Sequence, residues 1–361
     1  MADKIFMKGT EAVAETAIRA GCRFFAGYPI TPQNEMPEYM SRKQPKVGGV
    51  FIQGESEVAS VNMVFGAAAA GVRCMTSSSS TGIALKSEGI AFLAGARLPA
   101  VIANFQRGGP GIGDIKPAQQ DYFEATKASG NGGFQMLVFA PASVQEAVDM
   151  TYRAFELADK YLRPVYLLLD GVIGTMMEPV FLPEARTEEE IAALRAEKTY
   201  AAVGRNGGEA HSVVCGPGLS NRLNQQTMNM EDAALYEVWK RDEVEYEFDV
   251  PEDSRLLLTG YGTSGRIAKS AVKILRGEGY KVGFIRPLKV NPFPAEAFER
   301  LDYSTLKGIL VAEMSIPAQY GEDVRLHVHG RTQIETALSS GGQILDRGYV
   351  LEQAKKLYGD K

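Results

Sequence analysis

The feature that most constrains this chain is its rhythm. From the amino terminus to about Pro183, short apolar runs ending in Gly or Pro alternate with longer stretches of helical periodicity. The runs Phe24–Ala26, Gly49–Ile52, Arg73–Thr76, Ala100–Asn104, Met136–Ala140 and Val165–Leu169 have strand length and are largely apolar, as strands covered on both faces are. Between them, Gly9–Ala20, Glu57–Ala70, Gly82–Ala94 and Ser143–Tyr161 read as helices. Parallel strands need a crossover, usually a helix. The pattern therefore predicts an α/β fold, with a doubly wound parallel sheet over residues 1–183 whose functional residues gather in the loops after strands.

Residues 184–254 break the rhythm. Thr187–Lys198 reads as a charged helix, Gly204–Gly208 as loop, and Glu231–Asp253 holds ten acidic residues against two basic ones. The expectation is a connecting segment with a solvated acidic surface. A second, smaller α/β pattern starts at Arg255–Thr259, with further strands at Lys281–Ile285 and Gly308–Glu313, and fills residues 255–361.

Composition removes several classes of function. A net charge of −5 argues against nucleic acid as a partner, because phosphate binding rests on clustered Lys and Arg. The longest apolar stretches are interrupted well short of a membrane span and no leader is evident, so a soluble cytoplasmic protein without membrane contact is expected. Cys22, Cys74 and Cys215 are three thiols at wide spacing, fewer than the four or so an iron–sulfur cluster usually takes. Any redox centre is then expected on another chain. His327 and His329 have strand-like spacing and no nearby carboxylate in an HExxH frame, so no metal site is assigned.

Five segments carry candidate chemistry, each with a plain structural alternative. Gly27-Tyr28-Pro29-Ile30-Thr31-Pro32 presents the Thr31 hydroxyl between two prolines, or simply starts a helix with Thr as cap. Gln53-Gly54-Glu55-Ser56-Glu57 puts a carboxylate at the mouth of an apolar helix: a desolvated acid able to share a proton, or a first-turn acid favoured by the helix dipole. Thr76–Gly82 is a hydroxyl-rich turn that can bind an anion or only cap. Arg107, before the glycine-rich Gly108–Gly113, can clamp a carboxylate or lie on the surface beside a flexible turn. Gly260–Gly265 matches GxGxxG, but the next strand ends at Arg286-Pro287 with no acid for a ribose, which leaves an NADP-binding reductase as a minor alternative and tight packing as the simpler one.

Taken together, GYPITPQNE at Gly27–Glu35, QGESEVASVNMVFGAAAAG at Gln53–Gly71, TSSSSTGIAL at Thr76–Leu85 and QRGGPGIG at Gln106–Gly113 resemble the pyruvate/2-oxoacid:ferredoxin oxidoreductases, specifically the separate chain with the thiamine pyrimidine-binding domain. The resemblance continues through Asp121-Tyr122, Asp170-Gly171 and Asn291–Pro294, and is closest to the branched-chain (2-oxoisovalerate) type, with the 2-oxoglutarate type as the alternative. It implies a thiamine-diphosphate-binding domain of pyrimidine type followed by a transketolase C-terminal-like domain. Residue by residue, it implies that Glu57 is the acid facing the aminopyrimidine nitrogen, with Glu55 the fallback. Tyr28, Pro29 and Ile30 would lie against the cofactor, and Thr31 and Arg107 would meet the substrate carboxylate and keto group.

The implied reaction is coenzyme-A-dependent oxidative decarboxylation of a 2-oxoacid to acyl-CoA and CO₂, with electrons passing to ferredoxin. The GDG motif that holds a Mg²⁺-diphosphate is missing, since Gly113-Asp114 and Asp170-Gly171 do not complete it. The resemblance therefore implies a diphosphate-binding catalytic subunit that supplies Mg²⁺, ferredoxin-like and gamma-type subunits, and iron–sulfur clusters carried by other chains.

Overall fold

The computed structural model describes residues 4–205, 210–216 and 224–359. Of the expected loop Gly204–Gly208, residues 206–208 lie outside the described residues. The chain begins with β1 (Ile5–Lys8), α1 (Gly9–Arg19), β2 (Phe24–Gly27), α2 (Glu35–Lys43), β3 (Val50–Gln53), α3 (Glu57–Ala69), β4 (Cys74–Ser78) and α4 (Thr81–Gly95). It continues through β5 (Ala100–Gly108), β6 (Asp114–Pro117), β7 (Leu137–Phe139), α5 (Val144–Tyr161), β8 (Pro164–Asp170), α6 (Gly171–Thr175), β9 (Met177–Val180), α7 (Glu188–Ala196) and α8 (Gln225–Asp242). The remainder is β10 (Tyr246–Asp249), β11 (Leu256–Thr259), α9 (Gly262–Gly277), β12 (Val282–Pro287), β13 (Lys289–Asn291), α10 (Ala295–Glu299), β14 (Gly308–Glu313), α11 (Gln319–Val328), β15 (Gln333–Leu338) and α12 (Arg347–Tyr358).

The first sheet runs β13-β7-β8-β5-β4-β2-β3, parallel except for β13, with β6 folded back on β5. The second runs β10-β12-β11-β14-β15, parallel except for β10. Every residue of β5 and β8 is buried, which explains why the central strands read as continuous apolar runs rather than alternating ones. The six strands expected in the first region all form. Short β1 and β9, which pair with each other, were not anticipated, because four residues leave little periodicity to detect; the helix expected after Pro32 forms as α2.

The two sheets share one core. Ile83 and Ile90 of α4, Tyr166 and Leu168 of β8, and Leu257, Ile285 and Ile309 of the second sheet belong to a single buried cluster. Tyr122, Tyr261 and Tyr320 join it with ring centroids 5.5 to 5.8 Å apart. Polar contacts reinforce the junction. The Asp170 carboxylate, at the end of β8, accepts from Val172 N and Ile173 N at 3.1 and 3.2 Å and, across the junction, from Thr263 N and Oγ1 at 2.9 and 2.7 Å. Gln119 accepts from Ser264 Oγ and from Met314 N, and donates to the Tyr261 carbonyl.

The acidic run departs from expectation. Glu231–Asp253 is wet only in part: Glu237, Asp242, Glu252 and Asp253 are exposed, whereas other acids of the run strap down basic residues from both halves of the chain. Asp232 pairs with Arg97 at 3.0 Å and with buried Arg163. Glu243 accepts from Lys289, a fully buried lysine, at 2.8 Å. Burial pushes the Glu243 carboxyl up, but hydrogen bonds from Lys289, Tyr161 and Lys160 outweigh it and hold the group at about 2. Glu247 meets Arg286 at 3.1 Å and Asp249 meets Arg276 at 2.8 Å. The same segment supplies Trp239 and Tyr236 to the core beneath the first sheet and β10 to the second. Linear charge counting cannot see partners that lie far away in sequence. The expected charged helix does form, as α7, started by a capping box between Thr187 and Glu190.

Candidate active site

The loops after β2, β3, β4 and β5 lie at the carboxyl ends of neighbouring parallel strands, and they bring the candidate residues together. The meeting point is the first turn of α4. On one side, Glu57 occupies the first position of α3, behind Ser56, whose Oγ accepts from Ala59 N at 3.1 Å. Glu57 is only 6% exposed, whereas Glu55 is exposed. Among the described residues nothing hydrogen-bonds the Glu57 carboxylate. It packs over Gly82, where an added Cβ would stand 2.7 Å from Glu57 Oε1 and 2.0 Å from Ser78 Oγ. Gly82 is thus required by close approach, not by backbone freedom.

On the other side, Arg107 projects from the end of β5 and is 7% exposed, not a surface arginine beside a flexible turn. Its Nη1 donates to the Thr31 carbonyl at 3.1 Å, and its Nη2 donates to Thr81 Oγ1 and the Ile112 carbonyl, both at 3.2 Å. These acceptors are all neutral. Arg107 Nε has no acceptor among the described residues. The guanidinium is oriented without being neutralised, an arrangement suited to a carboxylate ligand.

Thr31 is half-buried and lies on a turn before α2, whose cap is Asn34, so the helix-cap reading of Thr31 does not hold. Tyr28 and Pro29 are exposed at the lip of this loop and Ile30 is half-buried. The structure joins Thr31 to Arg107 through a backbone oxygen, and both to the Glu57 side through Thr81 and Gly82.

The support of this site was not legible in advance. Ser80 has φ 33° and ψ −89°, a strained backbone for a residue with a side chain. It is held by Ser80 N donating to Asn104 Oδ1 at 3.0 Å, by its hydroxyl on Asp121 Oδ2 at 2.6 Å, and by Arg107 N donating to Ser80 Oγ at 2.9 Å. Asn104 Nδ2 also donates to Asp121 Oδ2, at 2.8 Å. Burial pushes the Asp121 carboxyl up, against these hydrogen bonds and the Arg107 charge. Burial also raises the neighbouring Glu124 to about 8. The serine run announced a turn, but nothing local marked Asp121 as its anchor.

The glycine-rich Gly260–Gly265 is a packing motif and not a nucleotide site, which corrects the NADP alternative. The amide that would face a phosphate, Thr263 N, donates to Asp170. An added Cβ at Gly262 would stand 2.9 Å from Gln119 Nε2 and 3.0 Å from Asp170 Oδ2, and one at Gly260 would stand 2.6 Å from the Ala312 carbonyl. His327 lies in α11 and His329 ends that helix in the left-handed conformation, so their spacing is not strand-like. His327 stacks on Phe293, with ring centroids 4.4 Å apart. No helix among the described residues is long and apolar enough to cross a membrane.

Comparison with known proteins places this geometry in a context. Residues 15–245 match the family model of the thiamine-diphosphate-binding domain of pyruvate flavodoxin/ferredoxin oxidoreductases, and residues 255–347 match core domain II of pyruvate:ferredoxin oxidoreductase. The chain is 42% identical to the ketoisovalerate oxidoreductase subunit VorB of Methanothermobacter thermautotrophicus, over 98% of each chain. It is 34% identical to the 2-oxoglutarate synthase subunit KorA of Methanocaldococcus jannaschii, over 89% of this chain and 91% of that one. Among solved structures it superposes on 2-oxoglutarate:ferredoxin oxidoreductase from Magnetococcus marinus with a TM-score of 0.82 and 26% identity, covering 99% of this chain and 66% of that longer one. A split-gene transketolase, at 15% identity and a TM-score of 0.60, shares the fold.

Proposed function

The chain belongs to the pyruvate flavodoxin/ferredoxin oxidoreductase family, as a subunit of a 2-oxoacid:ferredoxin oxidoreductase, and from that premise we propose that it forms the pyrimidine-side half of a thiamine diphosphate site acting on a branched-chain 2-oxoacid. The observation that carries the proposal is the Glu57 carboxylate, buried, unpartnered among the described residues and set across the start of α4 from the oriented Arg107 guanidinium. These features fit the cofactor. A buried acid with no hydrogen bond suits a ring nitrogen that completes it, and Gly82 keeps the space before the carboxylate clear.

When bound, thiamine diphosphate supplies the nucleophilic carbon that adds to the 2-oxo group and the electron sink for the departing CO₂. Glu57 holds a proton at its carboxylate and shares it with the aminopyrimidine ring nitrogen. Arg107 binds the substrate carboxylate through its outward N–H groups, while its bonds to Thr31, Thr81 and Ile112 fix the plane of the guanidinium. Thr31 offers its hydroxyl to the same end of the substrate. Ile30, half-buried beside Thr31, is aliphatic, in keeping with a branched aliphatic side chain rather than a second carboxylate. The similarity to VorB supports the same substrate class.

The reading assigns Mg²⁺ and the diphosphate to a partner catalytic subunit, and the iron–sulfur clusters to that or further subunits, with coenzyme A as acyl acceptor and ferredoxin as electron acceptor. Exposed Tyr28, Val58 and Leu85, on the loop and helices that carry the site, give the partner an apolar surface to cover.

Coenzyme-A-dependent viologen reduction by the co-purified complex tests the proposal, with 2-oxoisovalerate, 2-oxoglutarate, pyruvate and indolepyruvate compared side by side. Preference for 2-oxoisovalerate is expected, together with loss of turnover in Glu57→Gln. A preference for 2-oxoglutarate, or normal rates in that variant, would refute the substrate or the residue assignment respectively.

A further inference from the structure

The proposed site leaves one buried charge without a task. Lys86 lies on α4 one helical turn after Gly82 and is 0% exposed. Its Nζ donates to Thr76 Oγ1 at 3.0 Å and lies 3.4 Å from the backbone carbonyl oxygen of Glu57. Helical side chains lean towards the amino end of their helix, so Lys86 projects back beneath Gly82, the residue over which the Glu57 carboxylate packs. Among the described residues it has no salt-bridge partner. The charged group that bears on it is Glu57 of α3, and β4 presents only the Thr76 hydroxyl. An aliphatic side chain would fill this space without the cost of burying an ammonium.

We propose that Lys86 is a positioning residue that sets the proton affinity of Glu57, its ammonium disfavouring a proton held tightly on the carboxylate so that the acid shares that proton with the pyrimidine. This rests on the reading of Glu57 given above. Burial pushes the lysine down to about 7, against the Glu57 charge, so the influence is present below neutrality and fades above it.

The test follows the near-ultraviolet circular-dichroism band of the bound aminopyrimidine, which responds to ring protonation. It is run as a pH titration of the reconstituted complex loaded with thiamine diphosphate and no 2-oxoacid. Removing a nearby positive charge strengthens proton binding, so Lys86→Met is expected to raise the apparent pKa of the band by on the order of one unit. Lys86→Arg keeps its charge throughout and is expected to follow the native complex at low pH, then to show less of the protonated band than the native complex above about pH 7, where the native lysine becomes neutral. If both variants titrate like the native complex, the proposal is overturned. Should Lys86→Met fail to assemble, the alkaline limb of Lys86→Arg decides alone. Glu57→Gln separates the two ideas: if it leaves the titration intact, the Glu57 reading has failed; if it abolishes the titration while the Lys86 variants change nothing, only the role of Lys86 has.

Discussion

Replacing Asp170 by Ala tests whether one buried carboxylate holds the two sheets in register. The side chain accepts four hydrogen bonds, from Val172 N, Ile173 N, Thr263 N and Thr263 Oγ1. In the alanine variant α6 loses its cap, worth about 1 kcal/mol. The Thr263 amide and hydroxyl are stranded at the start of α9, each unsatisfied donor costing roughly 1–3 kcal/mol. Relief of the burial that pushes the Asp170 carboxyl up offsets part of this. The expected loss is about 4 kcal/mol, which for a chain of 361 residues is a fall in Tm of about 5 °C. Asp170→Asn does not restore it. With its amide oxygen in the place of Oδ1 it keeps Val172 N, Ile173 N and Thr263 Oγ1, but its NH₂ group then faces the Thr263 N–H donor, so about 2 kcal/mol remains lost. Asp170 also stands opposite Gln106 in the β5–β8 register, one residue before Arg107, so a rise in KM for the 2-oxoacid should accompany the lost stability. Calorimetry and urea unfolding of the purified chain measure the first effect, and steady-state kinetics of the complex the second. A loss below about 1 kcal/mol in the alanine variant, or full recovery with Asn, would refute the reasoning.

Two further perturbations probe close packing and buried protons. Gly82→Ala places a methyl group 2.0 Å from Ser78 Oγ and 2.7 Å from Glu57 Oε1, so the carboxylate must move; kcat/KM should fall at least about tenfold with weaker thiamine diphosphate binding, at a stability cost of only about 1–3 kcal/mol, and unchanged cofactor affinity would argue against this placement of Glu57. Burial raises Glu313 to about 8, against hydrogen bonds from the first amides of α11. The folded chain therefore binds a proton that the unfolded chain has released, and this contribution, complete below the unfolded carboxyl pKa of 4.5, declines as pH rises towards 8. Glu313→Gln should remove it, so urea unfolding between pH 5 and 8 should show the native chain losing stability relative to the variant by about 1.4 kcal/mol per pH unit; parallel profiles would exclude a protonated Glu313.

What the sequence determined by itself was set by local rules. Strands buried on both faces must be apolar along their whole length, and crossover helices must follow, so the α/β rhythm, the six strands of the first region and the strand-end placement of Thr31, Glu57 and Arg107 were readable in one dimension. The order of the four motifs pointed to the family for a related reason: each motif is a short stretch in which chemistry and turn geometry coincide.

Only the tertiary structure decided which charges meet. Glu231–Asp253 read as a solvated run because Arg163, Arg286 and Lys289, which pair with its less exposed acids, are 39 residues or more from them along the chain, and Coulomb's law acts through space. Gly260–Gly265 looked the same in sequence whether it faced a phosphate or a carboxylate, and the fold put Asp170 there. Lys86 carries no motif, and Asp121, although part of the resemblance, had no role assigned to it. Each acquires its meaning from a neighbour on another element, Lys86 from the first turn of α3 and Asp121 from the strained Ser80, because a buried charge is defined by what surrounds it rather than by what precedes it in the chain.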